Sequence, residues 1–300
     1  MYCLAYIISM RKQGKFTIDE FRAMYPHDDA CLDKVFSLRY GRFKKCPKCR
    51  KPFRFHRVQC RRCYECQWCA YQLYPTKNTV FEKTTTPLHN WFYAIYLMTA
   101  TRSGVSAKEI QRQLGVTYKC AWRIAHQIRQ LMGRKNTPKL SGKIEIDDTY
   151  VGGKRHGKRG RGAEGKTPVL GMVERKGFIR SQVIPDVTKK TIIPIIQENV
   201  LVGALINTDE FKSYKALRKS GYLHRIINHG LQEFVKGDCH TQSIEGFWSW
   251  LKRGISGTHV WVSAKHLQKY VNEFAFRYNQ RFSRKNMFIS LLGCISRPVQ

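Results

Sequence analysis

The chain has 300 residues, with 54 Lys plus Arg against 21 Asp plus Glu and a formal net charge of +33 at pH 7. That balance points to a polyanionic partner, while 42% hydrophobic and 12% aromatic residues exclude a wholly disordered basic tail. At about 150 residues per domain the length suggests two domains. The longest apolar run near the start, Tyr2 to Met10, is far short of the roughly 20 residues of a membrane span, so a soluble cytoplasmic chain without a membrane partner is expected.

Residues 1–41 carry Phe16, Phe21, Phe36 and Leu38 among polar residues and read as short helices without chemistry. In residues 42–82 six cysteines fall as C-x-x-C pairs, Cys46/Cys49, Cys60/Cys63 and Cys66/Cys69. Such spacing reads as metal ligation in a reducing compartment rather than as disulfides. Zinc takes four thiolates in a tetrahedron, and each C-x-x-C turn supplies two. Cys46 and Cys49 form one pair. Either Cys60/Cys63 or Cys66/Cys69 completes the set, and Cys66 and Cys69, in a segment that resembles the return strand of a zinc ribbon, are favoured. Ten Lys or Arg residues from Arg42 to Arg62 stand between Asp33 and Glu65 with no acid among them, which makes this a basic knuckle.

Residues 87–135 are helical by period. Ser106 is a predicted N-cap for Ala107 to Leu114, Gly115-Val116-Thr117 breaks the helix, and a second helix runs from Tyr118 to Met132. This fits a helix-turn-helix whose second helix turns Tyr118, Lys119, Arg123 and His126 towards a major groove. Lys119 and Arg123 are the expected DNA contacts.

Residues 143–300 alternate strand and helix signals, with strands at 143–151, 169–174, 178–184 and 204–208 and helices at 188–200, 241–253 and 264–278. That order predicts an α/β domain. A basic, glycine-rich loop follows the first strand, and its Lys154, Arg155, Lys158, Arg159 and Arg161 suit a clamp on a phosphate backbone.

In a chain this poor in acids, placed carboxylates are informative. Period-two alternation sets Ile144 and Ile146 on one face of the first strand and Glu145 and Asp147 on the other, away from the core. Asp209 follows the apolar strand Ala204 to Thr208, at the carboxyl end where α/β sheets build their sites. Glu245 stands on a helix whose Ile244, Phe247 and Leu251 form the buried stripe, with Ser249 and Lys252 on the adjoining face. Three carboxylates from two strands and a helix can hold two divalent cations, and all-oxygen ligands suit Mg²⁺. His229 and His240 flank the third acid and read as structural.

Asp209 and Glu245 are separated by 35 residues, and Lys252 follows two helical turns later. This resembles the DD(35)E signature with trailing lysine of retroviral-integrase-like DDE transposases. More closely, Glu145-Ile-Asp147-Asp-Thr-Tyr-Val-Gly-Gly-Lys154, Thr208-Asp209-Glu-Phe-Lys-Ser-Tyr214, His240-Thr-Gln-Ser-Ile-Glu245-Gly-Phe-Trp-Ser-Trp-Leu-Lys252 and Glu273-Phe-Ala-Phe-Arg-Tyr-Asn-Gln-Arg281 look like bacterial insertion-sequence transposases that join an amino-terminal zinc ribbon to such a domain. The resemblance runs from about residue 20 to 285. It implies an RNase H-like mixed sheet in which Asp147, Asp209 and Glu245 ligate two Mg²⁺ ions, with Mn²⁺ as a substitute, and Lys252 touches the phosphate at the element's end. It further implies Zn²⁺ in the ribbon, double-stranded DNA partners comprising terminal inverted repeats and target DNA, a nucleoid location, and at least a dimer on DNA. A non-catalytic DNA-binding regulator is the alternative, and the acid spacing argues against it.

Overall fold

The computed structural model describes residues 16–133, 138–152, 165–227, 240–281 and 283–296. The predicted clamp residues Lys154, Arg155, Lys158, Arg159 and Arg161, and also His229, lie outside the described residues. The chain divides into two compact units, one of residues 12–132 with 284–300, the other built on 133–283.

The first unit opens with helices α1 (Ile18–Met24) and α2 (Asp28–Tyr40). Thr17 and Glu20 cap α1 reciprocally, each side chain bonding the other's backbone N–H. A small antiparallel sheet follows, β1 (Phe55–Val58), β2 (Cys63–Cys66) and β3 (Gln72–Leu73), in that order. It docks on α2, where Tyr64 stacks on Phe36 at 3.9 Å between centroids and bonds Asp33. Arg57 pairs with Asp29 at 2.9 Å and Arg62 with Asp28 at 3.3 Å. Part of the basic run is therefore spent inside the unit, holding the ribbon to a helix whose first turn is acidic.

Helices α3 (Leu88–Ala100), α4 (Ala107–Leu114) and α5 (Tyr118–Met132) come next. The hydroxyl of Ser106 accepts from the Glu109 N–H at 3.1 Å, as an N-cap does, and Gly115 ends α4 in the left-handed region at φ 63°. The buried side of α5 is Ala121, Ile124, Ala125 and Ile128. The last helix of the chain, α9 (Met287–Gly293), belongs to this same unit. Its Phe288 is buried and stacks on Phe16 at 4.7 Å, with Phe21, Tyr25 and Phe92 around it.

The second unit is a three-layer α/β sandwich around a five-stranded mixed sheet. Its elements in chain order are β4 (Lys143–Gly152), β5 (Lys166–Glu174), β6 (Ile179–Val183), α6 (Lys189–Asn199), β7 (Leu205–Thr208), β8 (Leu223–Ile226), α7 (Gln242–Gly254) and α8 (Ala264–Gln280). A 3₁₀ segment, Lys212–Ser220, joins β7 to β8. The strand order is β6-β5-β4-β7-β8, antiparallel along β4-β5-β6 and parallel along β4-β7-β8. One face carries Ile144, Ile146, Leu170, Met172 and Ile206 against Ile192 and Ile196 of α6. The other carries Val151, Val169, Val173 and Ile179 against Ile244, Phe247, Trp248 and Leu251 of α7 and Val271 and Phe274 of α8. The motif residues Glu273 and Arg277 form a buried pair within α8 at 2.8 Å, so that stretch of the pattern is packing.

The predicted alternation in β4 holds, but one consequence drawn from it does not. The face bearing Glu145 and Asp147 is no open surface: α7 covers it, and Glu145 is 0% exposed. A sheet between two helical layers has no solvent face.

Candidate active site

Asp147 sits midway along β4 and Asp209 just past the end of β7. Parallel pairing sets Glu145 opposite Asn207, so continuing that register two residues along each chain brings Asp209, just past the end of β7, level with Asp147 in the middle of β4. Asp209 Oδ1 accepts from the Phe211 N–H at 3.1 Å, which holds the chain as it turns out of the sheet. Asp148 points to the other face, where the fully buried Tyr214 donates to its Oδ1 at 3.2 Å. That bond joins the two acidic motifs.

The electrostatics record the crowding. Burial, then the negative charges of Asp148 and Asp209, push Asp147 up to about 7, against the opposing pull of the Asp148 backbone N–H and the Trp248 indole. The mutual repulsion of Asp147, Asp148 and Asp209 is part of this shift, and an all-oxygen set of this kind fits a hard divalent ion.

Helix α7 lies over the Asp147 face. Trp248 Nε1 donates to Asp147 Oδ2 at 3.1 Å. The close approach is possible because Asp147's neighbour across the β4–β5 pair is Gly171, where a Cβ would come within 2.5 Å of the Trp248 ring and 2.7 Å of Ile244. Glu245 precedes Trp248 by three residues and Lys252 follows it by four, so helical period sets all three on one stripe. The Glu245 carboxylate is exposed and accepts from Thr241 Oγ1 at 2.7 Å. Lys252 lies within electrostatic reach of Asp147 and of Lys166 at the base of the β4–β5 hairpin; desolvation pulls its pKa down, Asp147 works against that, and Lys166 adds to it. Gln242, at the start of the same helix, is exposed.

In the first unit Cys46, Cys49, Cys66 and Cys69 bring their sulfurs within 4.8 Å of one another, a four-cysteine cluster consistent with a zinc ribbon. The two knuckles are built alike. The Arg50 N–H bonds Cys46 O and the Ala70 N–H bonds Cys66 O, and Arg50 and Ala70, each just after a second cysteine, both take positive φ. Burial raises the Cys46 thiol, while the backbone N–H groups of Cys49 and Lys48 together with the Cys66 and Cys49 thiols pull it down, to about 7 on balance. Cys60 and Cys63 stay outside the cluster. In the β1–β2 register Cys63 faces Val58 while Cys66 faces Phe55, which leaves Cys63 three residues, about 10 Å, along the strand.

On α5, Lys119 and Tyr118 are exposed. Arg123 turns back over the Trp91 ring at 5.5 Å and donates to Thr84 Oγ1 at 3.2 Å. His126 does not face a groove: it is 3% exposed and stacks on Trp122 at 3.7 Å. His240 approaches Glu145, with Nδ1 3.2 Å from Oε1. Sequence reasoning missed Glu145, Gly171, Trp248 and Lys166 as parts of this site. The signal for the first was present, a carboxylate two residues before Asp147 on the same strand face.

The ISXO2-like transposase domain matches residues 139–279, the span from just before β4 to the end of α8. An uncharacterised protein in transposable element ISH50 of Halobacterium salinarum is 29% identical over 252 residues, covering 77% of this chain and 84% of that one. An uncharacterised transposase-like protein of Haemophilus influenzae is 32% identical over 97 residues, 32% of this chain and 77% of that one. A solved pre-cleavage Mos1 transpososome matches at 11% identity and TM-score 0.27, over 70% of this chain and 80% of that one, too loosely to carry residue correspondences. The chain belongs to the insertion-sequence DDE transposase family. No described helix is long and apolar enough to cross a membrane.

Proposed function

We propose that this transposase is a Mg²⁺-dependent DNA strand-cutting and strand-transfer enzyme in which Asp147, Asp209 and Glu245 hold two divalent ions. The observation that carries the reading is the level placement of Asp147 and Asp209 on parallel neighbours, with the Glu245 helix hydrogen-bonded to Asp147 through Trp248. Bound Mg²⁺ supplies activation of a water or hydroxyl and offsets charge on the leaving oxygen of a phosphodiester. The chain's own residues do the rest. Asp147, Asp209 and Glu245 would hold the ions, and the Trp248 indole keeps Asp147 Oδ2 oriented. Lys252 offers a cation to the scissile phosphate. Water first hydrolyses the phosphodiester at the element's end and leaves a 3′-hydroxyl there; that hydroxyl then attacks a target phosphodiester, forming a new P–O bond as the target strand's own 3′-hydroxyl leaves, with no covalent protein–DNA bond.

In the same reading the ribbon takes Zn²⁺ on Cys46, Cys49, Cys66 and Cys69. The ribbon and the α4–α5 pair bind terminal inverted repeats, with Lys119 exposed for contact and Arg123 set back against Trp91. The basic run of Lys154, Arg155, Lys158, Arg159 and Arg161 contacts the DNA backbone. Two protomers pair two ends. The test is a labelled duplex ending in the host element's terminal repeat, incubated with the protein and either Mg²⁺ or EDTA. Metal-dependent nicking at the repeat end and joining of that end to a second duplex are expected. Tight binding without nicking in Mg²⁺ or Mn²⁺ would favour a DNA-binding regulator instead.

A further inference from the structure

A helix start leaves its first N–H groups without acceptors, and a local side chain ordinarily supplies one. Helix α7 has no such local cap. Thr241, at the N-cap position, makes no side-chain bond to the helix backbone, and its hydroxyl is given to Glu245 Oε1. The acceptor comes instead from a strand about a hundred residues earlier. Glu145 Oε2 accepts from the N–H groups of Ser243 at 2.8 Å and Ile244 at 3.2 Å, and its Oε1 accepts from Ser243 Oγ at 3.1 Å.

We propose that Glu145 is a positioning residue for strand cutting: from inside β4 it caps α7 and sets Glu245 in register with Asp147. The inference rests on the reading of Asp147, Asp209 and Glu245 as the metal-holding set. Its basis is a double tie between strand and helix, Glu145 to the Ser243 and Ile244 N–H groups and Asp147 to the Trp248 indole. From Glu145 to Asp147 the strand advances about 6.6 Å; from Ile244 to Trp248 the helix advances about 6 Å. The two steps match, so α7 runs alongside β4 in phase, and Glu245 falls between the ties.

The setting suits a fixed anchor. Glu145 is fully buried, and its charge is met by Arg175 Nε at 2.9 Å. Arg175 in turn donates through Nη2 to the His240 carbonyl at 3.0 Å, so the residue leading into the helix is held by the same cluster. A buried carboxylate with its guanidinium partner costs desolvation that an apolar pair would avoid, and the anionic form also meets the positive end of the helix dipole. Glutamine at this position keeps the shape but loses the charge and turns an NH₂ towards donors. The predicted consequence is a helix that still forms but whose first turn, with Glu245, is free to shift.

The experiment uses the full-length protein and compares Glu145→Gln with wild type in single-turnover cleavage across a Mg²⁺ titration, with melting temperature and DNA affinity measured alongside. Ile196→Val, on the opposite sheet face, serves as the destabilised control. Glu145→Gln is expected to lose at least tenfold in rate and to need severalfold more Mg²⁺, with DNA affinity within twofold, while Ile196→Val at similar stability leaves both unchanged. If Glu145→Gln does not fold, Ser243→Ala, which removes one of the three bonds, should shift the Mg²⁺ requirement in the same direction by a smaller factor. Wild-type rate and metal dependence in a folded Glu145→Gln, or in Ser243→Ala where that variant stands in, would overturn the inference, as would an equal shift in Ile196→Val. Asp147→Asn and Glu245→Gln run in parallel keep the two ideas apart. If both cleave normally, the site reading itself falls; if both are inactive and Glu145→Gln is normal, only the positioning role falls.

Discussion

The Trp248 indole is hydrogen-bonded to Asp147 Oδ2 at 3.1 Å, linking the helix that carries Glu245 to the strand that carries the first acid. The bond favours the ionised carboxylate and opposes the burial and neighbouring charge that lift Asp147 to about 7. Trp248→Phe keeps the ring packing and removes the donor. Asp147 then ionises at still higher pH, so the acid limb of the cleavage rate at fixed Mg²⁺ moves up by about one unit. A pH–rate profile reads it, and an unmoved limb would show that the bond does not tune Asp147.

The raised Asp147 also predicts a stability effect. Its folded pKa, about 7, exceeds the ordinary 3.8. The metal-free protein is therefore most stabilised, with respect to this group, below pH about 4, and loses that contribution as pH rises through about 7. Asn does not titrate, so Asp147→Asn should be more stable than wild type at pH 8 in EDTA by on the order of 2 kcal/mol and equal to it near pH 4. Mg²⁺ at pH 8 should close the gap, because the ion binds the wild-type fold. Thermal melts at the two pH values check the sign.

For the ribbon, the cluster geometry predicts that Cys66→Ser loses most bound zinc while Cys60→Ser keeps about one equivalent per chain. Cys60 is exposed at the β1–β2 turn and lies outside the four-sulfur group. Elemental analysis of the purified variants decides it, and the reverse pattern would reassign the site.

Phe288 of α9 fills an aromatic cluster with Phe16, Phe21, Tyr25 and Phe92. Phe288→Ala should cost the unit of residues 12–132 about 3–5 kcal/mol. Hydrogen exchange should quicken in α1, α2 and α3 and stay unchanged in β4 to β8. Equal acceleration in both units would mean that they do not open independently.

Much of this arrangement is legible in the sequence, for reasons that can be named. Strong period-two alternation marks β4, Ser106 and Gly115 punctuate α4, and the scarcity of acids makes Asp147, Asp209 and Glu245 conspicuous. The rest depends on partners distant in sequence. Strand β8, Leu223-His-Arg-Ile226, has two polar residues at its centre and so no period-two alternation to mark it; it pairs along the edge that β7 offers. Helix α9 is too short to declare its unit. His126 is amphipathic by type, and its burial on the packed side of α5, stacked on Trp122, shows only in the structure. Alternation correctly puts Glu145 beside Asp147 on one strand face, but it cannot say that a helix a hundred residues later covers that face.

The most direct measurement is single-turnover cleavage of the element-end duplex by Asp147→Asn, Asp209→Asn and Glu245→Gln, each verified as folded and DNA-binding. The account predicts at least a thousandfold loss of rate in all three with DNA affinity within a fewfold of wild type, since removing one ligand of a two-metal site removes transition-state charge stabilisation worth about 4 kcal/mol or more. Undiminished, metal-dependent cleavage by any one of them would contradict it.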